Sequence, residues 1–223
     1  LFGATFTTEM HRHYGPFKHV LESYARYQYY TTPNNAPDSH FIFDLQDGWY
    51  RLNMLRFGTK SLLYQKCCNG CVAHRLTLDL YAYSFFQTPQ IGTTVPRVYL
   101  EGTWNATASF RHALLYVWNI QHNLLDEINY RAQWTVNENL AIDAEYRHRS
   151  PYSWRKVDDE NFIMDSYRNE TTLLNSPVSD RRTTALLHAY YRIQHDLALE
   201  LEYHFGWDRK NNVLQPSYRE YQI

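Results

Sequence analysis

From Leu197 to Trp207 the chain alternates without a break: Leu197, Leu199, Leu201, Tyr203, Phe205 and Trp207 take one parity, and Ala198, Glu200, Glu202, His204 and Gly206 the other. Successive side chains of a strand point to opposite faces, so this run is a strand with one apolar and one polar face. The run before it alternates too, with Ala185, Leu187, Ala189, Tyr191 and Ile193 set against His188, Tyr190 and Arg192. Only Gln194, His195 and Asp196 separate the two, which predicts a hairpin within Thr183–Asp208. Each run is about 11 residues, and at ~3.3 Å per residue and a ~45° tilt it covers roughly 25 Å, the apolar band of a membrane β-barrel. The apolar face must therefore meet either lipid or a second protein layer.

Composition narrows the classes. The chain has 223 residues and a net charge of −1, with no basic run, so no nucleic-acid partner is expected. It holds 20 Tyr, 11 Phe and 6 Trp, residue types favoured where one end of a side chain is greasy and the other wet. The mean hydropathy is −0.60, and no apolar run is long enough for a membrane helix. A β-barrel escapes that test, because alternate residues face water and lower the mean. Residues 1–223 read as one β-barrel segment of a larger outer-membrane protein, since the chain opens at Leu1 without Met and stops inside Tyr218–Ile223.

Further strands follow along the chain. Phe17–Thr31, Tyr50–Lys66, His74–Phe86, Arg97–Trp104, Phe110–Trp118, Leu124–Trp134 and Leu140–Arg149 carry strand patterning, for roughly ten to twelve strands in all and no helix. The connections show a parity. Those near 105–108, 135–139 and 194–196 are all short, whereas those between them, at 87–96, 119–123, 150–181 and 209–215, run from short to long. The expected fold is an all-β, antiparallel up-and-down transmembrane barrel with short periplasmic turns and longer outer loops. Trp104 and Trp134 fall beside short turns, and Trp118, Tyr146 and Trp207 toward the opposite strand ends, as an aromatic interface girdle would have them.

The polar parity carries Asp143, Glu145, Arg147 and Arg149, then Arg192, Glu200, Glu202 and His204. Mixed charge suits a hydrated lumen wall, where charges keep water and pair across strands. Glu200 and Glu202 could be imagined as an acid/base pair, but a charged strand face explains them better, and no enzyme is expected. The His residues show no ligand spacing, so no metal and no cofactor is expected. Cys67, Cys68 and Cys71 cluster around Asn69-Gly70, which reads as a hairpin tip with its thiols free or in a disulfide.

The run Tyr14-Gly-Pro-Phe-Lys-His-Val-Leu-Glu-Ser-Tyr24, continuing through Tyr27 and Tyr30 to Pro33, resembles a signature in the barrel of the lipopolysaccharide-assembly family (LptD, or organic-solvent-tolerance proteins). Phe41–Gly48 and then Asn53-Met-Leu-Arg-Phe57-Gly58 are similar to that family's progression of Asp, then Asn-x-x-x-Phe-Gly, then a strand. The resemblance covers residues 14–66 and departs at Ser23, where the family usually has Pro; the loss is harmless to a strand ladder. It implies an outer-membrane barrel that delivers lipopolysaccharide to the cell surface, sugars passing through the lumen and acyl chains leaving sideways. It also implies a plug lipoprotein inside the barrel and periplasmic transport partners. Some members join barrel cysteines to a periplasmic domain, which makes Cys67 and Cys68 candidates. The alternatives are a general porin or channel and, third, a soluble all-β carbohydrate-binding protein; in either barrel reading 150–181 could fold inward as a constriction.

Overall fold

The structure, a computed structural model, describes residues 2–30, 52–67, 70–86, 94–150, 182–210, 213–214 and 218–222. These form twelve strands: β1 Phe2–Tyr14, β2 Phe17–Tyr30, β3 Leu52–Lys66, β4 Val72–Phe85, β5 Arg97–Asn105, β6 Phe110–Asn119, β7 Leu124–Thr135, β8 Leu140–Arg149, β9 Arg182–Gln194, β10 Leu197–Lys210, β11 Val213–Leu214 and β12 Tyr218–Gln222. The described residues contain no helix. All strands lie in one sheet, and β1 to β10 follow each other in chain order, each antiparallel to the next. β11 and β12 both pair with β10. The sheet is open: among the described residues β1 pairs only with β2.

The up-and-down order and the parity of connections are as the alternation predicts. Gly15–Pro16, 67–71, 106–109, 136–139 and His195–Asp196 join strands at one end, and 31–51, 86–96, 120–123 and 150–181 join them at the other. Local chemistry closes the short turns. Gly15 takes φ +56°, a conformation that costs a residue without Cβ nothing. The Asn137 carboxamide oxygen accepts the amides of Asn139 and Leu140, each at 2.9 Å, and thereby builds the β7–β8 turn from its own side chain. Strand β1 is absent from the sequence-based expectation, because Gly3, Ala4, Thr5, Thr7 and Thr8 dilute its alternation. The expected constriction segment 151–181, and Phe41–Gly48 of the family resemblance, lie outside the described residues.

Three β-bulges break the strict period of two. Leu63 faces Leu76 but Tyr64 faces His74, so Arg75 is the extra residue in β4. Val117 faces Glu127 but Trp118 faces Leu125, which leaves Asp126 extra in β7. Leu197 faces Gln194 but Ala198 faces Arg192, which leaves Ile193 extra in β9. A bulge re-aims the side chain it inserts, and two of these residues reappear below.

Candidate functional site

The two faces of the sheet are the functional feature, and three consecutive residues of β4 display them. Asp79 is 7 % exposed, Leu80 52 % and Tyr81 3 %. A leucine in the open between a covered aspartate and a covered tyrosine inverts the usual order of burial.

The register extends Leu80's side across the sheet. One row reads Ser23, Thr59, Leu80, Leu100, Tyr116, Ile128, His148, Thr183. A second reads Leu21, Ser61, Leu78, Gly102, Leu114, Tyr130, Tyr146, Ala185, Phe205. Phe2, Phe6, Met10 and Tyr14 of β1, Phe57 of β3, and Leu187, Leu199 and Leu201 of β9 and β10 share this side and are exposed. No second layer among the described residues covers it. The polar groups on it pair locally: His148 Nδ1 lies 2.8 Å from Thr183 Oγ1, and His112 Nδ1 2.6 Å from Tyr130 Oη.

Of the expected girdle residues, Trp104, Trp118, Trp134 and Tyr146 share the apolar side of the sheet. At the short-turn end Trp104 stacks on His112 with ring centres 5.1 Å apart, and Phe110 meets both His112 (4.4 Å) and Trp134 (6.4 Å) edge-on. At the other end Trp118 pairs with Val98, and the backbone of Trp207 with Thr183. Tyr146 sits one outer row inside His148, between Tyr130 and Ala185.

The opposite face carries all eight expected lumen residues, and most find partners. Arg131 forks Asp143, its Nε 2.7 Å from one carboxylate oxygen, and Gln133 donates to the same oxygen at 3.3 Å. Arg147 bonds Glu145 along β8, and Arg149 reaches Glu127 across the ladder at 3.3 Å. Glu200 takes His188 at 2.7 Å, and Glu202 takes His204 at 2.5 Å. Arg192 stands exposed at the short-turn end of β9. Half-exposed pairs like these are worth about 0–1 kcal/mol each; they set the face's polarity more than its stability.

Charge alternation alone missed what fills the polar face farther along. Around β3 to β6 it holds Met54, Tyr81, Tyr83, Phe85, Tyr99 and Val117, all buried. Tyr81 stacks on Tyr99 at 4.9 Å, and Tyr83 meets both edge-on. The Arg56 guanidinium lies 4.0 Å over the Tyr81 ring and 3.7 Å from Asp79, which also accepts the Tyr24 hydroxyl at 2.8 Å. Tyr81 in turn donates to Glu101 at 2.5 Å. Gly58 lies beneath this network: a Cβ there would stand 2.6 Å from the Leu80 carbonyl oxygen and 2.9 Å from the Tyr24 hydroxyl. The tyrosines at alternate positions 81 and 83 were the available signal.

At the rim of the long connections, Asp126 is 2 % exposed. Its bulge turns it inward, where it accepts Arg97 Nε at 2.5 Å, Asn119 Nδ2 at 3.4 Å and the Ser150 hydroxyl. It thereby ties the ends of β5, β6, β7 and β8 together.

Cys67 and Cys71 are free thiols, and Cys68 lies outside the described residues. The Cys67 amide donates to the Cys71 carbonyl at 2.9 Å and Gly70 takes φ +78°, so β3 and β4 join as a hairpin; Asn69 of the expected turn lies outside the described residues. The Cys67 thiol is pushed above its ordinary pKa, first by its hydrogen bond with Cys71. No cluster of three metal-ligating side chains occurs among the described residues.

Compared with known proteins, the chain matches no protein-family model and no curated protein.

Proposed function

We propose that this chain supplies wall strands of a transmembrane β-barrel in a bacterial outer membrane, and that the barrel serves lipopolysaccharide assembly. The observation that carries the membrane reading is the exposed Leu80 flanked by covered Asp79 and Tyr81, repeated as an apolar outer row on strand after strand. Each such Leu or Phe left in water forgoes about 1.5–3 kcal/mol of burial, a cost that hydrocarbon removes. The aromatic cluster of Trp104, Phe110, His112 and Trp134 fits the headgroup level at the short-turn end. The third reading, a soluble carbohydrate-binding module, would leave this face in water.

In hydrocarbon every backbone polar group is paired, so the open edges of β1 and of β10 with β12 must be closed. β1 and β12 both run toward the short-turn end. Joining them directly would be parallel, so an antiparallel barrel needs an odd number of further strands between them.

The lipopolysaccharide reading rests on the resemblance of residues 14–66, with the described part of it forming β2 and β3. In that reading the polar face is the lumen wall. Asp143, Glu145, Arg147, Arg149, Arg192, Glu200, Glu202 and His204 keep a hydrated path for a charged headgroup, which hydrocarbon would penalise by several kcal/mol or more. No bond is made or broken. A plug lipoprotein would sit inside, and periplasmic partners would deliver the lipid.

The test is depletion of the full-length protein in its host. Loss of newly made lipopolysaccharide from the cell surface, with heat-modifiable migration of the protein on gels, is the expected result. Unchanged surface lipopolysaccharide with reduced uptake of small solutes would overturn the assembly reading in favour of a general channel.

A further inference from the structure

A cavity of about 750 Å³ opens on the polar face at the short-turn end. One crossing row runs along it: Arg75, Asn105, Arg111, Gln133, Asp143 and His188, on six successive strands. Arg75 alternates with Leu76 of the apolar side and so faces the cavity, and His74, beside it at the β4 bulge, lines the cavity too. Its Nε donates to Gln65 at 2.7 Å and its Nη1 to the Asn105 carbonyl at 3.3 Å, which aims the guanidinium along the row. Arg111 is exposed and has no ion-pair partner among the described residues.

The charge in this cavity is lopsided. Its one carboxylate among the described residues is Asp143, which Arg131 and Gln133 already occupy. Arg75 and Arg111 are left uncompensated. Two other cavities of the same face are balanced: Lys60, Arg131 and Arg147 meet Asp79, Glu101 and Glu145 in the middle, and Lys18 and Lys66 meet Glu9 and Glu22 beside β1. The excess of positive charge is thus local, not a property of the face.

Arg75 and Arg111 lie two strands apart, roughly 10 Å at the backbone. Two long side chains at that spacing can converge on one small anion, and planar guanidiniums match the oxygens of a phosphate. We propose that this cavity binds a phosphate group, free or as a phosphate monoester, between Arg75 and Arg111. The site does not depend on what covers the apolar face, so it goes beyond the membrane reading and stands or falls apart from it.

The probe is inorganic phosphate, titrated by calorimetry into the full chain folded in non-ionic detergent. Saturable binding is expected, weakening as salt rises. Arg111→Gln should weaken it at least about tenfold, the loss of a charge-assisted hydrogen-bonding partner. Arg75→Gln should do the same, and Arg26→Gln, an exposed arginine on the same face outside this cavity, should leave the affinity unchanged. Arg111 makes no hydrogen bond that its loss would break among the described residues, and circular dichroism of the variant checks its strands. Glycerol phosphate and monomeric dihexanoyl phosphatidic acid separate the two sources: equal affinity assigns the site to a free phosphate, and tighter lipid binding to a lipid headgroup. Absence of saturable binding, an unaffected Arg111→Gln, or equal weakening by Arg26→Gln would overturn the site.

Discussion

β4 and β10 share one outer pattern and differ inside. Both set leucines outward in alternate positions, Leu76, Leu78 and Leu80 in the first, Leu197, Leu199 and Leu201 in the second. Inward, β4 presents Asp79, Tyr81 and Tyr83, all buried in an aromatic and hydrogen-bonded core. β10 presents Glu200 and Glu202, each with a histidine and open to solvent. The outer face answers to one constraint along the whole sheet, whereas the inner face is solved locally: packed around β3 to β6, hydrated around β7 to β10. The packed half carries the stability of the sheet, and the hydrated half carries its polarity.

Substitutions should separate the halves sharply. The largest loss is expected for Asp126→Ala, which removes the buried carboxylate shared by Arg97, Asn119 and Ser150 and unties the ends of four strands; removing one partner of a buried pair costs about 3–5 kcal/mol. Urea unfolding in detergent, followed by circular dichroism, measures it, and a loss under 1 kcal/mol would mean that the rim does not anchor the packed half. Gly58→Val comes next. Its Cβ would press on the Leu80 carbonyl, which is backbone and yields little, for about 1–3 kcal/mol of overpacking. In the hydrated half, Asp143→Asn should cost no more than about 1 kcal/mol, although Arg131 forks that carboxylate. If it costs as much as Asp126→Ala, the division between halves is wrong.

The smallest effect is chemical. Because the bond with Cys71 holds the Cys67 pKa up, less thiolate is present near pH 8, and alkylation of Cys67 should be slow there and rise as pH increases. Cys71→Ala should lower that pKa and speed the reaction at pH 8. Site-resolved mass spectrometry reads it, and an unchanged rate removes the Cys71 bond as the cause.

The outer face was legible in sequence because an unbroken period of two has one structural meaning. The Leu197–Phe205 alternation and the short connections at 105–108 and 135–139 by themselves imply an up-and-down sheet. Bulges were not legible: Asp126 and Arg75 fall between regular residues, and nothing in their neighbours marks the extra position. The inner aromatic core was hidden for a different reason. Tyr81, Tyr83 and Tyr99 occupy the polar parity, and tyrosine satisfies either face, wet at its hydroxyl and apolar in its ring. β1 was missed because threonine, glycine and alanine weaken its contrast. The charged positions of β8 to β10 share one face of the sheet, as charge at alternate positions implies, and leave the opposite parity for the apolar layer.

The central claim is that Leu199 and Leu201 face lipid while Glu200 and Glu202 face water. Nitroxide labels placed singly at 199, 200, 201 and 202, in the full chain reconstituted into bilayers, test it through collision with oxygen, which concentrates in hydrocarbon, and with a water-soluble nickel complex. High oxygen and low nickel accessibility at 199 and 201, reversed at 200 and 202, is the expected result. Positions 199 and 201 shielded from both, or as open to nickel as 200 and 202, would contradict the membrane reading.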